Sequence, residues 1–197
     1  DCGGCNGCSR CCHGMGNSII LDPYDVYRMT TGMGKSMQEL LAASVELNVV
    51  DGVILPNLKM QGAEEACAYL DGEGRCSIHP YRPGICRLFP LGRYYENGGF
   101  SYFLQTGECA KENRSKVKVS KWIDTPDLTR NQQFTLQWHD LLHAMEERLT
   151  GEDEGKQREE NLLLLRLFYL LPYEGTIDFY TQFTERMEHW NGQNGQI

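Results

Sequence analysis

Five of the chain's nine cysteines fall within its first twelve residues, as Cys2, Cys5, Cys8, Cys11 and Cys12. No other apolar residue lies among them or follows before Met15, so nothing local buries these thiols as small hydrophobes. A disulfide framework suits short secreted chains that cannot build a core. This chain has 197 residues, 41% of them hydrophobic, and no signal-peptide pattern at its start. Four of the cysteines also recur every third residue, a spacing that disulfide geometry makes hard to close between neighbours. Thiolate ligation of a metal or cluster accounts best for the segment.

A Cys-x-x-Cys pair sets two sulfurs on one side of a tight turn, from which both reach one ion or adjacent corners of a cluster. Gly3, Gly4 and Gly7 suit such turns because glycine tolerates positive backbone angles and lets amides approach sulfur. Cys2, Cys5, Cys8 and Cys12 reproduce the spacing of the bacterial ferredoxin run. His13 stands where that run has proline, and the run occurs once. Further along, Cys67 and Cys76 flank an Asp71-Gly72 turn, which predicts two short extended pieces with the cysteines near one another. Pro80, Pro83 and Pro90 make the segment around Cys86 read as a stiff, non-helical loop.

Together, Cys5-x2-Cys8-x2-Cys11-Cys12, the pair Cys67 and Cys76, and Ile78-His79-Pro80-x-Arg82-Pro83-x2-Cys86-Arg87-x-Phe89-Pro90 resemble the bacterial YkgJ-like CxxCxxCC cysteine-cluster proteins. That family is described as zinc- or iron-chelating, is often labelled iron–sulfur protein, and includes the metal-binding part of flagellin lysine N-methylase. The likeness covers roughly residues 1 to 110. It implies Cys5, Cys8, Cys11, Cys12, Cys67, Cys76 and Cys86 as metal ligands, with Cys109 as the eighth. Cys2 lies outside the family pattern as a further possible ligand, and His79 sits where many members carry tyrosine. The resemblance implies no established reaction, so no catalytic residue is assigned.

Eight cysteines fit two four-thiolate sites. Zinc sites of that type usually draw two Cys-x-x-Cys knuckles from separate turns. Overlapping knuckles at one end with dispersed cysteines downstream suit an iron–sulfur cluster better, because a cube presents corners in several directions. A 4Fe-4S cluster is therefore favoured, with zinc as the alternative, since thiolate softness admits both. Arg10, Arg82 and Arg87 are available to offset thiolate charge.

The remaining sequence predicts an α+β fold, a cysteine-rich, metal-centred core with short strands and a hairpin plus a C-terminal helical part. Asn17–Leu21 reads as a strand, and Asp22-Pro23 opens a helix ending near Gly32. The Ser36/Glu39 capping box starts a helix running to about Leu47, and Val53–Leu55 looks extended. Arg93–Leu104 is a hairpin turning at Asn97-Gly98, its aromatic residues covering the metal core. From Asp127, helical spacing of Phe134, Trp138, Leu141, Leu142, Met145 and Leu149 continues to Gly151. Glu152–Arg158 is a connector or helix start, and Asn161–Leu171 a buried helix stopped by Pro172. Thr176 caps a last helix with the stripe Ile177, Tyr180, Phe183, Met187 and Trp190, before a frayed tail over 191–197. Domains are expected at 1–120 for the cysteine cluster and 121–197 for the helical part.

His139 and His143 share a helix face and read as a surface pair, because the glutamate of a metalloprotease motif is absent beside them. No Rossmann glycine pattern or nucleophile elbow is present. With a net charge of −8 and a pI near 5.1, the chain is a poor match for phosphate backbones, so nucleic acid is not expected. The longest apolar run, Leu162–Leu171, is too short to span a membrane. The expectation is a cytoplasmic, bacterial metalloprotein with one or two thiolate-ligated centres, used for electron transfer or an iron–sulfur-dependent modification with a protein redox or substrate partner. The alternatives are a structural zinc protein and a lysine N-methylase-like enzyme.

Overall fold

The structure, a computed structural model, describes residues 8–109 and 115–194. Its first long element is helix α1 (Pro23–Met33), opened by a reciprocal capping box. The Asp25 amide donates to Asp22 Oδ1 (2.8 Å) and the Asp22 amide to Asp25 Oδ2 (3.3 Å), with Pro23 at the first helical position. Gly34 ends it in the left-handed conformation. The expected strand at 17–21 is reduced to residues 19–21 running beside the chain near Pro56, with a single bridge between Ile20 and Asn57. Hydrogen bonds from Leu21 to Pro56 and from Leu58 to Ile19 flank that bridge.

Helix α2 (Met37–Ala43) carries the expected Ser36/Glu39 box but stops four residues before the expected end at Leu47. Strand β1 (Val45–Val50) follows and pairs antiparallel with β2 (Val53–Leu58), from Val45 opposite Leu58 to Val50 opposite Val53. Asp51 and Gly52 turn at positive φ (50° and 83°), and the pairing buries Val45 completely. Hairpin pairing thus overrides helical continuation through a valine-rich segment. Short strands β3 (Met60–Gln61) and β4 (Ala66–Cys67) pair next.

The proline-rich segment departs from its predicted loop. A 3₁₀ turn spans His79–Tyr81, and Cys86 lies in a short helix, α3 (Gly84–Leu88). Pro83 is accommodated as the residue preceding the helix, and the Gly84 amide donates to the Asp25 carboxylate (2.6 Å), so a tertiary partner supplies the missing cap. Strands β5 (Leu91–Glu96) and β6 (Gly99–Leu104) form the expected hairpin around Asn97-Gly98. Phe103 lies across from Gly92, where a Cβ would meet its ring.

Helices α4 (Val119–Ile123), α5 (Leu128–Leu149), α6 (Glu154–Leu165) and α7 (Phe179–Asn194) complete the chain, making the fold α+β. Asp153 caps α6, so the charged segment after Gly151 is a helix start, and α6 ends in a π turn over Arg166–Leu170. Asp178, rather than Thr176, caps α7 by accepting from the Thr181 amide (3.0 Å), which leaves Ile177 outside the helix. The helix runs on through Asn194 where a frayed tail was expected, and residues 195–197 lie outside the described residues.

Among α5, the π turn and α7, Phe134 meets Phe179 and Phe183 edge to face, and Phe168 lies tilted against Phe183. The helical part reaches the earlier elements through buried polar ties. Asn161 accepts from the Ile54 amide (2.6 Å) and donates to Gly52 (3.1 Å), and Tyr169 donates to Leu21 (3.1 Å). Arg186 donates to the carbonyls of Leu167, Leu171 and Pro172, satisfying acceptors that the α6 terminus leaves open.

Candidate metal centre

Cys8, Cys11, Cys12, Cys67, Cys76 and Cys86 line one cavity of about 330 Å³. They arrive from four parts of the chain. Cys11 and Cys12 lie in a 3₁₀ turn (Arg10–Cys12), and Cys67 ends β4. Cys76 bridges to Leu70 after a turn in which Asp71 Oδ1 accepts from the Glu73 and Arg75 amides. The expected approach of Cys67 and Cys76 is therefore present. Cys86 sits in α3. Met15, Ile19, Leu58, Ile78, Phe89 and Trp122 give the cavity an apolar wall.

Cys109 is not part of this lining, and Cys2 and Cys5 lie outside the described residues. Among the described residues, no three His, Cys, Asp or Glu side chains meet at a point that suits one ion. The donors surround a space.

The thiols act on each other electrostatically. The Cys12 thiol donates to Cys11 and pulls it down to about 6, against the effect of burial and with help from Arg82. The same hydrogen bond, burial, and the charges of Cys11, Cys67 and Cys86 push Cys12 far up. Burial raises Cys67, Cys76 and Cys86, and the neighbouring thiols add to the shift at Cys76 and Cys86. An all-sulfur, soft donor set of this kind fits zinc or an iron–sulfur cluster.

Helix α1 holds the Cys86 segment in place, a role the sequence reading did not assign. Asp25, Arg28 and Gly32 recur at the i, i+3, i+7 spacing of one helix face. Asp25 binds the Gly84 amide and lies 3.8 Å from the Arg87 guanidinium, both side chains almost fully buried. Burial and the Asp22 charge push Asp25 up to about 8, while Arg87 pulls it down. Arg28 donates to the Pro80 carbonyl, and the Tyr81 ring lies on Gly32 so closely that a Cβ would overlap it. The periodic spacing was the available signal, but its partner segment lies more than 50 residues away.

The hairpin does not cover the cavity as expected. Its Tyr95 stacks on His139 of α5 at 3.8 Å, and none of its aromatic residues lines the cysteine cavity. Of the expected surface pair, His143 lies 3.6 Å from Glu147 on the exposed helix face, whereas His139 is half-buried against Tyr95. Of the three arginines considered for charge compensation, Arg82 lines the cavity, Arg10 is exposed, and Arg87 turns to Asp25. No helix among the described residues is long and apolar enough to cross a membrane.

A comparison with protein-family models matches residues 4–115 to CxxCxxCC, described as "Putative zinc- or iron-chelating domain". No curated protein and no solved structure matches the chain.

Proposed function

The chain belongs to the CxxCxxCC family of zinc- or iron-chelating domains, and on that premise we propose that its cysteines hold one or two thiolate-ligated centres, with a 4Fe-4S cluster favoured over zinc, used for one-electron transfer. The ligands are Cys5, Cys8, Cys11, Cys12, Cys67, Cys76, Cys86 and Cys109. Residues 1–120 form the metal-binding part and residues 121–197 its helical support.

The observation that carries this reading is the convergence of six cysteines, from four parts of the chain, on one cavity. Donors spread around a space suit a polynuclear cluster, whose irons take thiolates from different directions. Zinc needs four donors converging on one ion. When bound, an iron–sulfur cluster supplies reversible one-electron capacity. The chain's own residues set the surroundings. The apolar wall lowers the polarity around the half-buried sulfurs, Arg82 offsets thiolate charge, and α1 fixes Cys86 through Gly84 and Arg87.

The test is iron, zinc and acid-labile sulfide analysis of protein purified without oxygen. Iron and sulfide in equal amounts, with a brown colour lost on exposure to air, are the expected result. Zinc without sulfide would overturn the cluster and leave a structural metal site. Unchanged metal content in Cys8→Ser, Cys76→Ser and Cys86→Ser would overturn the ligand assignment.

A further inference from the structure

Charge is unevenly spread along this acidic chain. Residues 75–121 carry nine Lys or Arg against three Asp or Glu, whereas residues 122–197 carry six against fourteen. Part of the basic segment lies beside the cysteine cavity. Helix α4 packs on α3, Trp122 of α4 lines the cavity, and its indole N–H donates to Leu88 of α3 (3.2 Å). Lys116, Lys118 and Lys121 flank that contact, all exposed and without an ion-pair partner among the described residues.

Apolar side chains are exposed on the same two helices. Ile85, next to Cys86, is 39% exposed and Val119 is 36% exposed. Arg82 continues the positive rim at the cavity lining, beside His79, whose protonation burial and Arg82 disfavour and which Asp124 faces. Arg75 is already paired with Asp71 and Glu73. An apolar centre inside a charged rim is the anatomy of a protein interface. A nucleic acid would have to extend its phosphates over the acidic remainder of the surface.

On the reading that the cysteines hold a redox metal centre, we propose that the packed α3–α4 pair, with its exposed Ile85 and Val119 and the exposed Lys116, Lys118 and Lys121 on and beside α4, docks a one-electron carrier protein that presents an acidic face. One electron leaves the reduced carrier and reduces the metal centre by one, with no bond made or broken. Opposite charge steers the encounter, and the apolar pair lets the carrier settle beside the Cys86 segment.

The probe is an acidic plant-type ferredoxin added to the metal-loaded protein. Binding of the oxidised form is read by calorimetry, and electron transfer from the reduced form by stopped-flow absorbance. In Lys116→Glu/Lys118→Glu/Lys121→Glu, the association rate is expected to fall about 10-fold or more at low salt and to lose its salt dependence. Arg158→Glu/Arg166→Glu, on the remote helices, should leave it unchanged. Lys116→Glu alone lies outside any helix and should show part of the effect, which guards against misfolding of the triple variant.

Equal rates for the triple variant and the wild type, at equal metal content, would overturn the docking face. A zinc-loaded protein that binds ferredoxin in a lysine-dependent way but accepts no electron would support the face and overturn the redox reading alone. Lysine-dependent binding of a single-stranded RNA oligonucleotide without ferredoxin binding would reassign the surface. So would a dimer, seen by light scattering, that the triple variant breaks apart.

Discussion

Phe168 and Cys86 are held in very different ways. Phe168 is fully buried against Trp138, Phe183 and Trp190, so several aromatic neighbours support the same position. The Cys86 segment relies on separate polar and steric ties to α1, with Asp25 at Gly84 and Arg87, Arg28 at Pro80, and Gly32 under Tyr81. Overlapping contacts confine the effect of a lost side chain to the helical part, because the surrounding aromatic neighbours still hold the helices together. Sparse ties make the cysteine region depend on each of them and on the metal that its donors surround.

Metal removal should separate the two regions most widely. Metal ligation in a thiolate site contributes on the order of 10 kcal/mol of folding free energy. After chelation, amides in residues 8–90 should lose hydrogen-exchange protection while those of α5 and α7 keep theirs. Uniform loss across the chain would break the contrast.

Asp25→Ala is expected to cost about 3–5 kcal/mol, because it leaves the Arg87 guanidinium buried without its nearest carboxylate and the Gly84 amide without its acceptor. Denaturant unfolding measures the cost, and metal analysis should show less metal per folded chain. Phe168→Ala falls in the same range, at about 3–5 kcal/mol for a buried aromatic residue, but its folded fraction should bind metal normally. Equal metal loss in both variants would show that the two regions are one cooperative unit.

Gly32→Ala has a smaller expected effect, about 1–3 kcal/mol, from forcing the Tyr81 ring away. Pairing it with Tyr81→Ala should restore metal content, since the overlap is then gone. Failure of that rescue would mean that Gly32 matters for α1 itself.

The knuckle at Cys8 and Cys11 was legible because Cys-x-x-Cys turns are local and their chemistry is specific to sulfur. The Asp22 cap with Pro23 and the Ser36/Glu39 capping box were equally readable, since donor and acceptor lie within one turn of each other. The α2 ending at Ala43 was not, because β1 forms only when β2 is beside it. Helix α3 was hidden for a similar reason, as its N-terminal acceptor is Asp25, 59 residues earlier. The hairpin was visible in Asn97-Gly98, but its packing on His139 rather than the cysteine cavity was not.

Sequence alone determined that this chain carries clustered soft sulfur donors, that α1 and α2 start at identifiable caps, and that a C-terminal apolar stripe needs burial. Tertiary structure decided which cysteines share a cavity, that α1 anchors the Cys86 helix, and that exposed lysines flank the α3–α4 contact near the cavity. The division follows the reach of the interactions. Turns and caps act over a few residues, whereas burial and convergence depend on segments that meet only once the chain has folded.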